Sequence, residues 1–375
     1  MAINQTCNRG FASTSIGMAW GVTAMHVNIV YDDNGVGLSR DAHIIETTLH
    51  AAGIRVTRTP ISEFHYELPW NQFARWLHVR LKVLIHRLRF NRLPYDLTLF
   101  LEHIEPDYCL LAPVIAYIPN PEHSCERDVH NLKWVDHVLA KVHDTIGVYE
   151  SLGCPVTYIG FTSLDRGMGL DSTKKRRAFF HLAGNSQQKG TAALIDLWKK
   201  HPEWPPLTIL QHPDKKKRMP KTTGVANIRH ISAYLDDDSL RTLQNEHRFH
   251  LCPSEAEGFG HYIVEALGCG AVTLTTDAPP MNELVEAGRG LLVRYCRKAP
   301  QQLGMNHIVC PDNLEEKITE MLALTDDQTK KISQLARDWF ESNAIAFRHR
   351  LPEVILEIMA QHGSQATDNQ ASSPD

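Results

Sequence analysis

The segment that decides the fold is Pro253-Ser-Glu-Ala-Glu257-Gly-Phe-Gly260-His-Tyr-Ile-Val-Glu265-Ala-Leu-Gly-Cys-Gly270. The apolar run 249–252 before it predicts a buried strand, and the two glycines predict a loop that opens a helix. Backbone N–H groups and the positive end of the helix dipole at such a start favour a diphosphate. At 100° per residue, Glu257 and Glu265 differ by about 80° in azimuth and about 12 Å in rise, so both carboxylates can line one cleft. A helix that only packs on the core explains the apolar positions but not an acid at 265.

Alternating strand and helix patterns extend from this segment through most of the chain. In the first half, His26–Asp32 predicts a strand, Ala42–Ala52 a helix and Ile54–Thr59 a second strand, which is the start of a parallel sheet. A second series starts at Phe179, after the polar segment 163–177, whose composition suits a linker. The predicted fold class is therefore α/β, with two Rossmann-like domains that face a cleft.

Length, charge and composition exclude several classes of protein. The chain has 375 residues, 43% hydrophobic and 22% charged, which suits about two globular domains and excludes wholesale disorder. A net charge of −4 argues against a nucleic-acid partner. No stretch approaches the roughly 20 apolar residues that cross a bilayer. The eight cysteines include no C-x-x-C pair, so we expect neither a structural zinc site nor a disulfide framework, and we predict a cytoplasmic location.

The two ends of the chain look different from the domains between them. Residues 1–24 are rich in small residues, but polar residues and a glycine interrupt their apolar part, which is atypical of a secretory signal. We expect a flexible extension there, with the first domain starting near Met25. The polar tail 362–375 is predicted to be disordered.

A glycine loop follows the first predicted strand. Gly35 and Gly37 lie between strand and helix, where free N–H groups can face an anion, so we consider them a candidate acceptor or phosphate loop. The dinucleotide fingerprint G-x-G-x-x-G fails because Arg40 stands at the third glycine, and no acid follows the second strand. No NAD or other cofactor is therefore expected. The alternative interpretation is a tight turn with Ser39 as the helix N-cap.

The second half carries a further strand–loop motif, Phe180-His-Leu-Ala-Gly-Asn185-Ser-Gln-Gln-Lys189-Gly190-Thr. Together with 253–270 it resembles the retaining GT-B glycosyltransferases, in particular glycosyltransferase family 4 (glycosyl transferases group 1). Gly270-Ala-Val-Thr-Leu-Thr-Thr-Asp and Asn282-Glu283 resemble the continuation of the family pattern. The resemblance covers residues 175–345 in sequence and 25–165 in architecture only.

This resemblance implies a function for particular residues. Glu257 is expected beside the transferred sugar, Glu265 on the nucleotide ribose and Lys189 on the donor diphosphate, with Glu257 and Lys189 as catalytic residues. The remaining predicted donor-binding residues are Asn185, Gly258, Phe259 and Gly260. The implied substrate is a nucleotide-diphosphate sugar, so no cofactor and no metal are expected. The implied domains are 25–165 for the acceptor, 166–345 for the nucleotide sugar and a helix at 346–361 that crosses back.

The chain departs from the family pattern at two places. Asn185 stands where the family usually has an arginine, so Lys189 lacks that second cation on the diphosphate. Lys189 would then carry more of the charge alone, or with help from Arg229 or the helix dipole. The family histidine near the tip of an N-terminal strand is also missing, since the stretch reads Ile115-Ala-Tyr-Ile-Pro-Asn-Pro-Glu-His123. Asn120, Glu122 or His123 are the alternatives for its place.

Acidic and histidine residues elsewhere give little sign of a metal site. Asp236-Asp237-Asp238 resembles a metal-binding D-x-D, but Asp238 precedes an apolar-periodic helix and is better explained as its N-cap. His247 and His250 do not form a convincing metal-binding pair.

A basic helix is predicted at Arg75–Arg92, which contains six basic residues and no acid, with large apolar residues at helical spacing. Such a helix suits an anionic membrane surface, peripherally on the inner face of the membrane. The alternative is a helix that packs on the core and exposes a solvated basic face.

The sequence therefore predicts transfer of a sugar from a nucleotide-diphosphate sugar to an acceptor hydroxyl, with retention of configuration and without metal. The acceptor would be a glycan, a lipid-linked sugar or a small molecule. The alternative is a catalytically inactive protein of the same fold that binds nucleotide sugars.

Overall fold

Two parallel α/β units follow one another in the computed structural model, which describes residues 25–61, 69–213, 222, 224–286 and 288–371. The first unit consists of β1 (His26–Asp32), α1 (Gly37–Ala51), β2 (Arg55–Ile61), α2 (Pro69–Phe90), β3 (Leu97–Leu101), α3 (Pro106–Cys109), β4 (Val114–Ile118), α4 (Glu126–Asn131), β5 (His137–Ala140), α5 (Asp144–Glu150) and β6 (Val156–Tyr158). Its six strands pair in parallel in the order β2-β1-β3-β4-β5-β6. We call this unit the N-terminal half.

The second unit, the C-terminal half, follows an irregular linker. It consists of β7 (Arg176–Gly184), α6 (Thr191–Lys200), β8 (Leu207–Gln211), β9 (Ile228–Ser232), α7 (Asp237–Glu246), β10 (His247–Cys252), α8 (His261–Gly268), β11 (Val272–Thr276), α9 (Met281–Leu284), β12 (Gly290–Val293), β13 (Tyr295–Gln301), β14 (Gly304–Val309), α10 (Pro311–Ala323) and α11 (Asp326–Ala371). Six strands pair in parallel in the order β12-β11-β10-β7-β8-β9. The strands β13 and β14 form a separate antiparallel hairpin. The predicted pair of parallel α/β sheets is confirmed.

One apolar core runs from the first half into the second. It joins residues of β1, α1 and β3 to residues of α8, α9 and α11. The helix α11 contacts both halves along its length. Its Arg337 donates to the carbonyl of Gly268 at 2.8 Å in the C-terminal half, while its Arg350 lies 5.0 Å above the ring of Tyr158 in the N-terminal half. The two halves are thus packed together across a common helix.

Several predicted features differ in the structure. The predicted crossing helix 346–361 is part of α11, which continues through the tail predicted to be disordered as far as Ala371. The expected N-cap of α1 is also wrong, because Val36 occupies that position. The hydroxyl of Ser39 instead accepts a hydrogen bond from the Gly35 N–H at 2.8 Å. The predicted extension 1–24 lies outside the described residues.

The helices that the structure describes include none that is long and apolar enough to cross a membrane.

Candidate active site

The order of the second sheet decides where a ligand can bind. Its first strand, β7, lies beside its fourth strand, β10, and the strand order reverses between them. Loops that leave the carboxyl ends of two such strands diverge and create a crevice, which is where open α/β sheets bind ligands. The loop after β7 carries Lys189, and the loop after β10 carries Glu257. Both sequence motifs therefore end at this crevice.

The two loops touch each other closely. A Cβ atom on Gly190 would lie 2.3 Å from the carbonyl oxygen of Pro253, and Gly190 has a φ of +69°, so only glycine fits there. The N–H of Glu255 donates to the carbonyl of Gln188 at 2.7 Å. Because α6 and α8 begin directly after these loops, their positive ends lie at the same crevice.

The two predicted catalytic side chains meet between these loops. Lys189 and Glu257 form an ion pair, and both remain partly exposed, at 17% and 11% of their side-chain surface. The Lys189 ammonium also lies 3.9 Å above the ring of Tyr262. The Ser254 hydroxyl contacts both Glu257 and the Tyr262 hydroxyl. Burial raises the pKa of Tyr262 well above its usual value, so the phenol stays protonated and can donate.

The second carboxylate of the pattern is placed differently. Glu265 has no exposed surface, and both of its carboxylate oxygens have protein partners. Its Oε1 accepts from Arg40 Nη1 at 2.7 Å and from the Ser163 hydroxyl at 3.2 Å, while Oε2 accepts from the Gln244 amide at 3.0 Å. The expectation that Glu257 and Glu265 line one open cleft is therefore not met in this structure. Glu265 instead joins the two halves through Arg40.

A second polar contact between the halves lies beside it. The Asp41 carboxylate bonds His261 Nε2 at 2.6 Å and Lys141 Nζ at 3.1 Å. Burial tends to raise the pKa of Asp41, but the charges of Lys141 and His261 outweigh burial and lower it to about 2. His261 is the first residue of α8, so this network ties the start of the helix to α1.

Two of the three alternatives for the missing histidine reach the glycine loop. A Cβ atom on Gly258 would lie 2.1 Å from Asn120 Oδ1 and 2.9 Å from Glu122 Oε1. Asn120 Oδ1 also accepts from Lys141 Nζ at 2.6 Å. Burial raises the pKa of Glu122. The His123 side chain is half exposed, and its Nε2 lies 3.8 Å from Glu122 Oε1.

The hairpin β13–β14 contacts loops of both halves beside the crevice. On one side, Leu303 N donates to the Pro121 carbonyl at 3.1 Å. On the other, His307 N donates to the Glu255 carbonyl at 2.7 Å, and the Gln188 amide donates to Asn306 at 2.8 Å. The hairpin therefore connects the loops beside Lys189 and Glu257 to the loop that carries Asn120.

The other predicted donor residues lie around the crevice in different roles. The ring of Phe259 is buried and packs edge-to-face on Phe161, with centroids 5.2 Å apart, so any contact of Phe259 with a donor would involve its backbone. Asn185 is exposed directly after β7. Gly35 and Gly37 have open space where a side chain would lie, on the N-terminal side of the cleft.

The acidic run 236–238 is a helix start. The N-cap of α7 is Asp236, which accepts from Ser239 N at 2.8 Å, so the predicted cap at Asp238 is wrong by two residues. His247 and His250 are buried and bond neighbouring carbonyl and hydroxyl oxygens. In the described part of the chain, no group of three His, Cys, Asp or Glu side chains is arranged to hold a metal ion.

Sequence reasoning missed the residues that the N-terminal half contributes. Arg40, Asp41 and Lys141 belong to no motif, and Arg40 was notable only because it replaced a glycine of the dinucleotide fingerprint. A signal was available for His261, which lies within the decisive segment as a polar residue at a helix start.

Two parallel α/β halves of this kind around a cleft define the GT-B fold class. Residues 171–339 match the family described as Glycosyl transferases group 1, and the predicted resemblance is confirmed. A relative from Xanthomonas oryzae pv. oryzae, GDP-mannose:cellobiosyl-diphosphopolyprenol alpha-mannosyltransferase, is 29% identical over 135 residues. That alignment covers 33% of this chain, and the chain spans about a third of the relative's length (35%).

Solved structures confirm the fold. WaaG, a glycosyltransferase involved in lipopolysaccharide biosynthesis, has a TM-score of 0.61 at 14% identity, covering 88% of this chain and 99% of that chain. Sucrose-phosphate synthase from Thermosynechococcus elongatus has a TM-score of 0.57 at 13% identity, and the match covers 93% of this chain and 100% of that chain. At such identities the likeness concerns the fold, and the GT-B fold class predicted from sequence is confirmed.

Proposed function

We propose that the protein is a glycosyltransferase that moves a sugar from a nucleotide-diphosphate sugar to an acceptor hydroxyl, with retention and without a metal ion. The observation that carries the proposal is the Lys189–Glu257 pair, partly exposed at the start of α6 and α8 where the strand order reverses. An anionic diphosphate would take the place of Glu257 on Lys189 and face the positive ends of both helices.

Lys189 and the helix starts would then act on the leaving group. As the bond from the anomeric carbon to the diphosphate oxygen breaks, negative charge grows on that oxygen, and fixed positive groups stabilise it. The acceptor oxygen forms the new bond on the same face of the sugar, and its proton passes to the leaving phosphate. Glu257, released from Lys189, is free to hold the sugar hydroxyls.

The relative's name suggests which substrates to test first. That protein is named for GDP-mannose as donor and for a sugar on a polyprenyl diphosphate as acceptor. We propose the same chemical classes here, a nucleotide-diphosphate hexose and an acceptor sugar carried on a lipid.

A screen of nucleotide sugars by thermal shift tests donor binding, since a ligand stabilises the folded state by RT ln(1 + [L]/Kd). Release of free nucleoside diphosphate on adding an acceptor then tests turnover. Binding with no release from any acceptor class would support the inactive sugar-binding protein instead. The absence of any shift with GDP-, UDP- and ADP-sugars would contradict both.

A lipid-borne acceptor requires a protein that reaches the membrane surface, and we propose that α2 provides the contact. Its inner face packs on the domain, with Val79 buried and Arg75 paired with Glu105 at 3.4 Å. Its outer face carries large apolar side chains that are about half to four-fifths exposed: Trp70, Phe73, Leu77, Leu81, Leu84 and Leu88. This spacing of three and four residues forms one continuous exposed stripe, which supports a surface contact by the outer face.

Charge favours an anionic surface over a second copy of the chain as the partner of this stripe. Pro69–Phe90 contains five basic residues and no acid, so two such helices would repel each other. Near an anionic bilayer each Lys or Arg contributes on the order of 1 kcal/mol. Arg75 on α2 pairs with residues that follow β3, so the aromatic end of the helix lies at the cleft edge of the sheet. If α2 binds the inner face of the membrane, as predicted from sequence, the membrane would present the acceptor to the cleft.

Vesicle sedimentation tests this contact. The protein is expected to bind vesicles with phosphatidylglycerol and not those of phosphatidylcholine alone. Replacing Arg80, Arg87 and Arg89 by Gln should weaken binding by about 100-fold at 0.1 M salt. The matched control replaces Arg176, Lys199 and Lys200, which lie on the other half, and should bind like the wild type. Equal loss in both triple variants, or no binding of the wild type at low salt, would contradict the proposal.

A further inference from the structure

Each carboxylate of the 257–265 pattern accepts a hydrogen bond from one cation, and these two cations come from different halves. Lys189 of the C-terminal half holds Glu257, and Arg40 of the N-terminal half holds Glu265. Arg40 is the outer member of its pair, since 24% of its side chain is exposed whereas Glu265 is fully covered. Arg40 is therefore the member of the pair that solvent can reach.

The charge of a diphosphate exceeds what one lysine balances. A bound nucleoside diphosphate carries at least two negative charges, and Asn185 contributes none. Arginine is well suited to complete the balance because its planar fork binds two phosphate oxygens at once. The contact between Asp41 and His261 at 2.6 Å already holds α1 against the start of α8, and Arg40, the residue before Asp41, contacts Glu265 of the same helix at 2.7 Å.

A second basic group already lies beside Glu265. Arg166 pairs through Nη2 with Asp237 at 3.0 Å, and its buried Nε, which makes no hydrogen bond with the residues that the structure describes, lies 3.8 Å from Glu265 Oε1. Ser163 and Gln244 also bond the carboxylate. The negative charge of Glu265 therefore stays compensated when Arg40 moves away. A buried carboxylate with a single partner would be left with an uncompensated charge.

We propose that Arg40 is the second cation of the donor diphosphate, stored on Glu265 while the site is empty and transferred to the phosphate when the donor binds. This proposal rests on the proposed function, because it assumes a nucleotide-diphosphate donor. It makes the acceptor half a participant in donor binding, so the donor diphosphate itself holds the two halves closed.

Isothermal titration separates this role from that of a simple link between the halves. The probe is whichever of GDP, UDP and ADP the wild type binds best, together with its monophosphate. Arg40→Ala should bind the diphosphate at least about tenfold more weakly, equivalent to about 1.4 kcal/mol, with the monophosphate changed less than about threefold. The control Arg58→Ala removes an arginine of the same half that pairs with Glu46 at 3.1 Å, and it should bind like the wild type.

The double variant Arg40→Ala/Glu265→Gln removes both charges together, so no buried carboxylate is left without its arginine. In the Glu265→Gln background, loss of Arg40 should still weaken diphosphate binding about tenfold. If Arg40 only neutralises Glu265, the double variant will match Glu265→Gln. That result, or an Arg40→Ala variant that binds the diphosphate as well as the wild type does, overturns the proposal. A wild type that binds none of the three diphosphates would defeat the proposed function itself.

Discussion

The two carboxylate–cation pairs of the cleft differ in burial and in what they connect. Lys189–Glu257 lies within one half and is partly exposed, whereas Arg40–Glu265 joins the halves and has a fully covered carboxylate. An accessible ion pair contributes little to folding and exchanges partners readily. A buried one is costly to break because an unpaired charge stays behind. The first pair can therefore exchange partners at little cost, whereas Arg40 can leave Glu265 only because Arg166, Ser163 and Gln244 remain beside the carboxylate.

The largest effect on activity is expected at the partly exposed pair Lys189–Glu257. Lys189→Ala should lower kcat/KM at least about 100-fold, because loss of a cation that stabilises developing charge costs about 3 kcal/mol or more. Steady-state kinetics with the identified donor measures this. Lys199→Ala is the matched control on α6, since Lys199 pairs with the exposed Asp196 at 3.0 Å and should keep its activity. A loss below fivefold in folded Lys189→Ala would remove Lys189 from the site.

The comparison predicts that loss of the negative charge costs different amounts of stability at the two carboxylates. Glu265→Gln should lower the free energy of unfolding by about 3 kcal/mol, since it breaks a buried ion pair. Glu257→Gln should lower it by less than Glu265→Gln does, because 11% of the Glu257 side chain remains exposed whereas Glu265 has no exposed surface. Urea denaturation measures both.

Ligand binding sharpens the same contrast. If Glu265 contacts the ribose, as the resemblance implies, Glu265→Gln should weaken binding of the product diphosphate. Glu257→Gln should leave that affinity nearly unchanged and slow turnover of the intact donor. Equal effects of both variants on product affinity would refute the division of roles.

The Asp41 network should make closure sensitive to acid. Its folded pKa of about 2 lies below the ordinary value of 3.8, so its stabilising contribution is present above pH 3.8 and is lost as pH falls toward 2. Asp41→Asn should therefore cost about 2 kcal/mol at pH 7, and the difference from the wild type should vanish near pH 2. Unfolding at several pH values measures this. Asp196→Asn, at an exposed site, should show no such dependence.

The smallest effect is expected from metal removal. Activity with EDTA should stay within about twofold of the untreated enzyme, because Lys189 and the helix starts are proposed to stabilise the leaving group. Abolition by EDTA and rescue by Mg²⁺ or Mn²⁺ would contradict the metal-independent mechanism and return attention to Asp236–Asp238.

The C-terminal site could be predicted because its signals are local. The strand, the glycines and the acid of 253–265 are contiguous, and the backbone geometry that glycine permits follows from the sequence itself. The same holds for Lys189 and Gly190. The alternation of strands and helices likewise predicted both sheets.

The N-terminal contribution could not be predicted because it depends on contacts between distant residues. Arg40 and Glu265 are 225 positions apart, and Asp41 and Lys141 are 100 apart. No periodicity reports that such residues meet. The burial of Glu265 depends in the same way on Arg40 and on the linker residue Ser163. The hairpin 295–309 was missed because its first strand is charged and contains Pro300, which is unlike a buried strand.

The chain crosses between the halves twice, once in the linker and once in α11, and the two crossings lie side by side. Phe161 of the linker packs edge-to-face on Phe347 of α11, with centroids 4.8 Å apart, and its carbonyl accepts from the Asn343 amide at 2.7 Å. We expect two adjacent crossings to act as one pivot if the halves separate, so that Arg40 meets Glu265 again when they close. Substitutions at Phe161 or Phe347 would accordingly alter how often the site reforms correctly while leaving its chemical groups intact.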